Sequence, residues 1–114
     1  MKLGSLTFKD NYGKTYPFGV YSKNTRFKAV VAIYAFLTTD NHVLYIGQTT
    51  DLSTRFNDHH KWNEASRLGF EKIAVCTQVT LLVLDVVERR LIEHYQPRCN
   101  DKAAVFDVYL HKSS

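Results

Sequence analysis

The sequence predicts a small α/β (α+β) domain in which a central three-stranded antiparallel sheet is flanked by helices and preceded by a short β-rich extension. Residues 29–37 form a nearly continuous apolar run rich in β-branched and aromatic residues, the pattern of a strand buried on both faces. Residues 43–48 and 73–79 are two further strand-like runs. Leu84, Val87, Leu91 and Tyr95 recur at helical spacing, and Pro97 supplies a stop.

In chain order, residues 1–28 read as an N-terminal extension and 29–114 as the main domain. Within the extension, Leu6–Phe8 and residues 15–21 flank the turn-like cluster Asp10-Asn11-Tyr12-Gly13, which predicts a hairpin. Lys23, Arg26 and Lys28 follow, interleaved with Tyr21 and Phe27. That composition suits a nucleic-acid-facing patch, but the commoner reading is a strand edge protected by charge. The turn cluster 38–42 predicts that residues 43–48 fold back antiparallel on 29–37. Thr50 or Asp51 is suited to cap a helix running to about His60, which would place Arg55 and His59, four apart, on one face. Helical spacing resumes over 62–68 and Gly69 ends it. Residues 79–87 are β-branched and apolar enough for a strand, yet Glu88-Arg89-Arg90-Leu91-Ile92 favours a helix over 81–95 with Thr80 as its cap. Residues 105–110 close the chain as a short edge strand.

At 114 residues and a formal charge of +4, the chain suits one modest core and permits a polyanionic partner without requiring one. Cys76 and Cys99 lack the spacing of a zinc site and read as free thiols. There is no apolar signal core, and no apolar run approaches the roughly 20 residues of a membrane helix. These features predict a soluble protein, cytoplasmic or nucleoid-associated, with no membrane partner.

Taken singly, the polar candidates are unremarkable: a buried tyrosine is usually a packing residue, and a helical arginine is usually a surface cation. Together, Tyr34 and Tyr45 on neighbouring strands, Arg55 and His59 beyond them, and Glu88 on a distant helix supply what phosphodiester cleavage needs. Those needs are a hard-cation ligand, an activated water, and donors for the phosphate and leaving oxygen. One carboxylate is too few for an all-protein cage, but Mg²⁺ keeps several waters and completes its shell with substrate.

Ala32-Ile33-Tyr34, then Tyr45-Ile46-Gly47, then Arg55, His59, and Glu88-Arg89-Arg90-Leu91-Ile92 leading to Pro97-Arg98-Cys99-Asn100, resemble the GIY-YIG nucleases over about residues 30–101. The resemblance implies a small α/β fold and a divalent-metal-dependent endonuclease using one Mg²⁺ or Mn²⁺. It implies that Glu88 is the metal ligand, that Arg55 engages the scissile phosphate, and that Asn100 closes the site near the helix end. Tyr34 and Tyr45 correspond to the family's paired tyrosines. Tyr34 is the preferred general base, with His59 sharing the proton transfer or bonding the phosphate. A phenol with a pKa of about 10 would need Arg55 and the metal to lower it. Ala32 replaces the usual first glycine, and Gln48 stands where some relatives carry lysine, which puts any lysine-assisted step in doubt.

The partner implied is DNA, with RNA not excluded. Gln48, Lys61, Arg67 and Arg89 are the expected contacts, and a second copy or a partner protein is an available source of targeting. The alternative is a non-catalytic nucleic-acid-binding module on the same fold, in which Arg55, Lys61, Arg67, Arg89 and Arg90 contact phosphate and Glu88 is dispensable.

Overall fold

A computed structural model of the chain describes residues 2–100. The strand expected over 105–110 lies outside the described residues. Five antiparallel strands form one sheet: β1 (Lys2–Lys9), β2 (Thr15–Ser22), β3 (Ala32–Leu37), β4 (Val43–Thr49) and β5 (Lys72–Cys76), in the spatial order β1-β2-β5-β3-β4. Two helices accompany it, α1 (Trp62–Arg67) and α2 (Leu84–Tyr95). Among the described residues the sheet therefore has five strands, where the sequence predicted a central three. The predicted hairpin forms, and its second strand pairs with β5, Gly19–Ser22 against Lys72–Val75, so the N-terminal hairpin extends the same sheet.

Residues 32–37 are fully buried, as a strand between two neighbours and under two layers must be. Their side chains alternate. Ile33 and Ala35 face Phe8, Phe18, Ile46 and the α2 residues Leu84, Val87 and Leu91. Tyr34 and Phe36 face the other way, into a layer with Tyr45, Leu52, Ala65 and Phe70. The α2 periodicity read from sequence is thus the stripe that seals one face. A short 3₁₀ turn (Leu81–Val83) precedes the helix, so α2 starts three residues later than expected and Thr80 makes no side-chain cap bond. Gln96 ends α2 in the left-handed conformation, and Pro97 follows.

The helix expected over 51–60 does not form; the segment is a series of turns. The Asp51 carboxylate accepts from the Ser53 amide and hydroxyl, and the Leu52 amide donates to the Val30 carbonyl at 2.9 Å rather than to its own segment. Asp58 takes a positive φ of 56°. Short polar side chains at 51, 53, 54, 57 and 58 offer the backbone alternatives to helix, and here they prevail.

Strand β4 is an outer strand, and its open edge is covered at the middle by the segment after α2. The Cys99 amide donates to the Leu44 carbonyl at 2.8 Å. The Asn100 side chain accepts from the Ile46 amide at 2.9 Å and donates to the Ile46 carbonyl at 3.0 Å, standing in for a sixth strand. Replacing Asn100 with Ala strips both partners from Ile46. It is expected to lower stability by about 1–3 kcal/mol in urea unfolding, with Asn100→Asp retaining only the acceptor half and falling between.

Candidate active site

The two tyrosines lie diagonally on one sheet face because β3 and β4 pair Tyr34 with Gly47 and Phe36 with Tyr45. Their ring centroids are 6.1 Å apart. The Tyr34 ring lies across Gly47: a Cβ there would stand 2.5 Å from the Tyr34 hydroxyl, 2.6 Å from its Cζ and 2.9 Å from the Tyr45 ring. Only a bare Cα lets the fully buried Tyr34 reach its position.

The Tyr34 hydroxyl is 2.7 Å from His59 Nε2. The other ring nitrogen, Nδ1, accepts the Lys61 amide at 3.0 Å, so it carries no proton. Burial, with the charge of Arg55 and the neighbouring His60 adding to it, pushes the His59 pKa down to about 4. His59 is therefore neutral at physiological pH with its proton on Nε2, and it donates to the Tyr34 oxygen. Arg55 lies over the Tyr34 ring, its guanidinium carbon 5.6 Å from the centroid. Burial raises the pKa of Tyr34 above its ordinary value, and Tyr45 adds to the rise while Arg55 opposes it. Tyr45 is also raised, by burial first; Arg55 works against the shift and Glu88 with it.

Glu88 comes from α2, which packs on the opposite face of the sheet, and lies near enough to raise the Tyr45 pKa. Its Oε1 accepts from the Gln48 side-chain amide at 2.9 Å, and the same amide donates to Asp85, one turn earlier on α2. Burial raises the Glu88 pKa, and Asp85 adds to this. The Gln48 bond, Arg55 and Arg89 act in the other direction. A half-buried carboxylate held above its ordinary pKa, beside a second carboxylate, is stabilised by any hard cation that approaches it. Among the described residues no three His, Cys, Asp or Glu side chains converge as metal ligands. The donor set thus fits a water-rich ion held at Glu88 and does not fit a closed protein cage.

The structure brings Tyr34, Tyr45, Arg55 and His59 together, although Arg55 and His59 do so from successive turns and not from a helix face. Glu88 and Gln48 meet at the β4 edge. Asn100 spends both ends of its amide on Ile46, so its place is beneath the site, holding Tyr45-Ile46-Gly47. Lys61 is ion-paired to Glu64 at 3.1 Å and lies near enough to lower the Tyr45 pKa. Arg89 is exposed beside Glu88, whereas Arg67, exposed in the last turn of α1, has no hydrogen bond or ion pair to the group among the described residues. Sequence reading missed Asp85, which the i, i+3 spacing to Glu88 could have revealed. Phe56, which its spacing from Leu52 turns toward the core, stands edge-on to Tyr34 at 5.0 Å.

Phenols, a neutral imidazole and a guanidinium thus gather on one face of the sheet, and a carboxylate lies by the edge strand on the other. The family model described as the GIY-YIG catalytic domain matches residues 30–102, and the chain belongs to that family. Its members are generally endonucleases. Comparison with curated proteins and with solved structures gives no match. Among the described residues no helix is long and apolar enough to cross a membrane.

Two outcomes test this geometry. Gly47→Ala forces the buried Tyr34 ring off the strand and away from His59. It is expected to cost about 1–3 kcal/mol and to cut any Tyr34-dependent activity at least tenfold, which chemical denaturation and turnover measure separately. The second outcome concerns pH. Between about 6.5 and about 4 the unfolded chain binds a proton at His59 that the folded chain refuses. The His59 contribution to stability is therefore complete above about 6.5 and drains away as pH falls through that window. The difference in unfolding free energy between wild type and His59→Gln should shrink as pH drops from 7 to 4.5; a constant difference would refute a neutral, buried His59.

Proposed function

We propose that the protein is a divalent-metal-dependent endonuclease that hydrolyses DNA phosphodiester bonds. The observation that supports this most is the convergence of Tyr34, His59 and Arg55 beside the edge strand whose far side carries Glu88, in a chain of a nuclease family. In this reading Glu88 would hold one Mg²⁺ or Mn²⁺ through the carboxylate that Gln48 now engages. The bound ion supplies Lewis-acid stabilisation of charge developing on the phosphate and leaving oxygen.

The chain's own groups do the rest. Arg55, over the Tyr34 ring, pairs with the scissile phosphate, and its charge favours the phenolate. The His59 Nε2–H donates to the same phenol oxygen, so the imidazole stabilises the phenolate and holds the ring still. Since Nε2 already carries its proton, His59 does not take one from Tyr34. Tyr34 passes its hydroxyl proton to solvent through the Tyr45 hydroxyl, to which it is hydrogen-bonded, and regains one from the attacking water by the same route; the departing oxygen, as its bond to phosphorus breaks, takes a proton from solvent. Tyr45, nearer Glu88, orients that water, while Lys61 and Arg89, whose charges are felt at Tyr45 and Glu88, are the cations for adjacent phosphates. The site of action is DNA in the cytoplasm or nucleoid.

Supercoiled plasmid incubated with Mg²⁺ or Mn²⁺ is expected to be nicked by wild type. Glu88→Ala and Arg55→Ala should each be reduced by about 10²-fold or more, the scale of losing one charge-stabilising group. The absence of nicking above the Glu88→Ala background, with either metal and on both plasmid and branched DNA, would end this reading. One observation favours the alternative of a non-catalytic nucleic-acid-binding module: Gln48 already engages Glu88. That alternative requires Glu88→Ala to leave function intact and DNA affinity unchanged or higher.

A further inference from the structure

The segment between β2 and β3 carries the Arg26-Phe27-Lys28 patch, and the structure sets this patch over two adjoining cavities beside the active site. One, of about 390 Å³, is walled by Tyr21, Phe27, Leu52 and Val75. The other, of about 410 Å³, is lined by Phe27, Phe56, Ser53 and Asn57. They share Thr25, Arg26, Phe27 and Leu52, so they form one groove with the Phe27 ring standing in it. Each is within the size range of small-ligand sites. Its walls are aromatic and aliphatic, while Thr25, Thr77, Ser53 and Asn57 supply hydrogen-bonding groups at its margin. Arg26 and Lys28 are exposed on the rim, and among the described residues no carboxylate lines either cavity.

The groove is held in place from behind. Lys23 inserts between α1 and the strand that follows, donating to the Ser66 hydroxyl at 2.7 Å and lying over the Phe70 ring at 4.6 Å. The Lys23 amide donates to the Glu71 carbonyl at 3.1 Å, and the Leu52 amide ties the far wall to Val30. With its backbone fastened at both ends, the segment presents Phe27 and its flanking cations as a preformed surface.

The groove is also continuous with the site. Phe27 meets Phe56 edge-on at 5.8 Å, and Phe56 meets Tyr34 edge-on at 5.0 Å. At about 3.4 Å per nucleotide along a stacked strand, a strand whose phosphate lies at Arg55 passes Phe27 within about five nucleotides. An aromatic wall with polar margins and a cationic rim is the composition that accepts a base face while holding its backbone. A base still paired in a duplex cannot present its face to such a groove.

We infer that the groove around Phe27 binds one unpaired nucleotide of the DNA strand held at the active site, its base against Phe27 and its backbone beside Arg26 and Lys28. The inference rests on the nuclease reading above and specifies its substrate: DNA carrying an extruded or unpaired base a few nucleotides from the cut.

The test is equilibrium binding in EDTA, so that no cleavage intervenes, to three fluorescent oligonucleotides. One is a perfect duplex, one a duplex with a single-nucleotide bulge, and one the same bulge made abasic. Wild type is expected to bind the bulge about tenfold or more tightly than the other two. Phe27→Ala should remove that preference and leave perfect-duplex affinity within twofold. Thr77→Trp, which fills the cavity from an exposed position, provides a second variant should Phe27→Ala unfold. It should also remove the preference, with an unchanged melting temperature. Equal affinity of wild type for bulge and duplex overturns the inference, as does a preference that survives the abasic site or the Thr77→Trp change. Glu88-dependent nicking of plasmid, measured alongside, separates the two failures. Nicking without bulge preference removes the groove and keeps the nuclease, whereas loss of both nicking and DNA binding removes both.

Discussion

The pairing of Tyr34 with a residue that has no side chain underlies much of this molecule. Strands β3 and β4 are in register such that Gly47 lies opposite Tyr34, and the ring fills the space a Cβ would occupy. A phenol buried this fully would leave its hydroxyl stranded at a cost of about 1–3 kcal/mol without a partner, and His59 supplies one. That requirement in turn dictates the path of the chain after β4. The segment must return His59 to the sheet face, and it does so through turns pinned to Val30, which also carries Arg55 over the ring. One register thus places three of the polar groups of the site.

The fourth group arrives by a different route. Helix α2 packs on the opposite face through Leu84, Val87 and Leu91, and the same helical period turns Glu88 toward the β4 edge. The Arg55 charge, on the other face of the sheet, is felt at Glu88 beside this outer strand. The position of β4 at the outside of the strand order is therefore a condition of the site as much as a feature of the fold. An unprotected edge invites pairing with another strand. Asn100 resolves that conflict by engaging Ile46 alone, which covers the middle of the edge and leaves Gln48 open to Glu88.

What the sequence reveals and what it hides follow the same physics. The double burial of β3 and the stripe on α2 are legible because a period in the chain reports directly on burial. The polar set is legible because its members recur in a known order. The fourth and fifth strands of the sheet are hidden for a different reason. The hairpin at 1–28 can be read locally, but its docking on β5 depends on Gly19–Ser22 meeting residues some fifty positions away, which no local pattern encodes. The missing helix at 51–60 marks a genuine competition. Apolar and charged spacing there fits a helix, while Asp51, Ser53, Asn57 and Asp58 fit turns, and the contact of Leu52 with Val30 decides between them.

That competition also accounts for the groove. A regular helix over 51–60 would direct its amides inward to its own carbonyls and present a closed cylinder to the N-terminal segment. Turns leave Leu52 bonded across to Val30 and swing Phe56 between Tyr34 and Phe27, opening space on either side of the Phe27 ring. The charged stretch that reads as strand-edge protection in the sequence, Lys23 to Lys28, divides by function in space. Lys23 turns inward as an anchor between Ser66 and Phe70, and Arg26 and Lys28 remain outside on the rim. Among the described residues, Arg26 and Lys28 make no ion pair, which leaves the rim cationic. Its aromatic members are aligned because Phe27 must pack on Tyr21 and Phe56 to close the layer over Tyr34. Packing that completes the core on one side therefore builds, on the other, a surface chemically matched to an unpaired base.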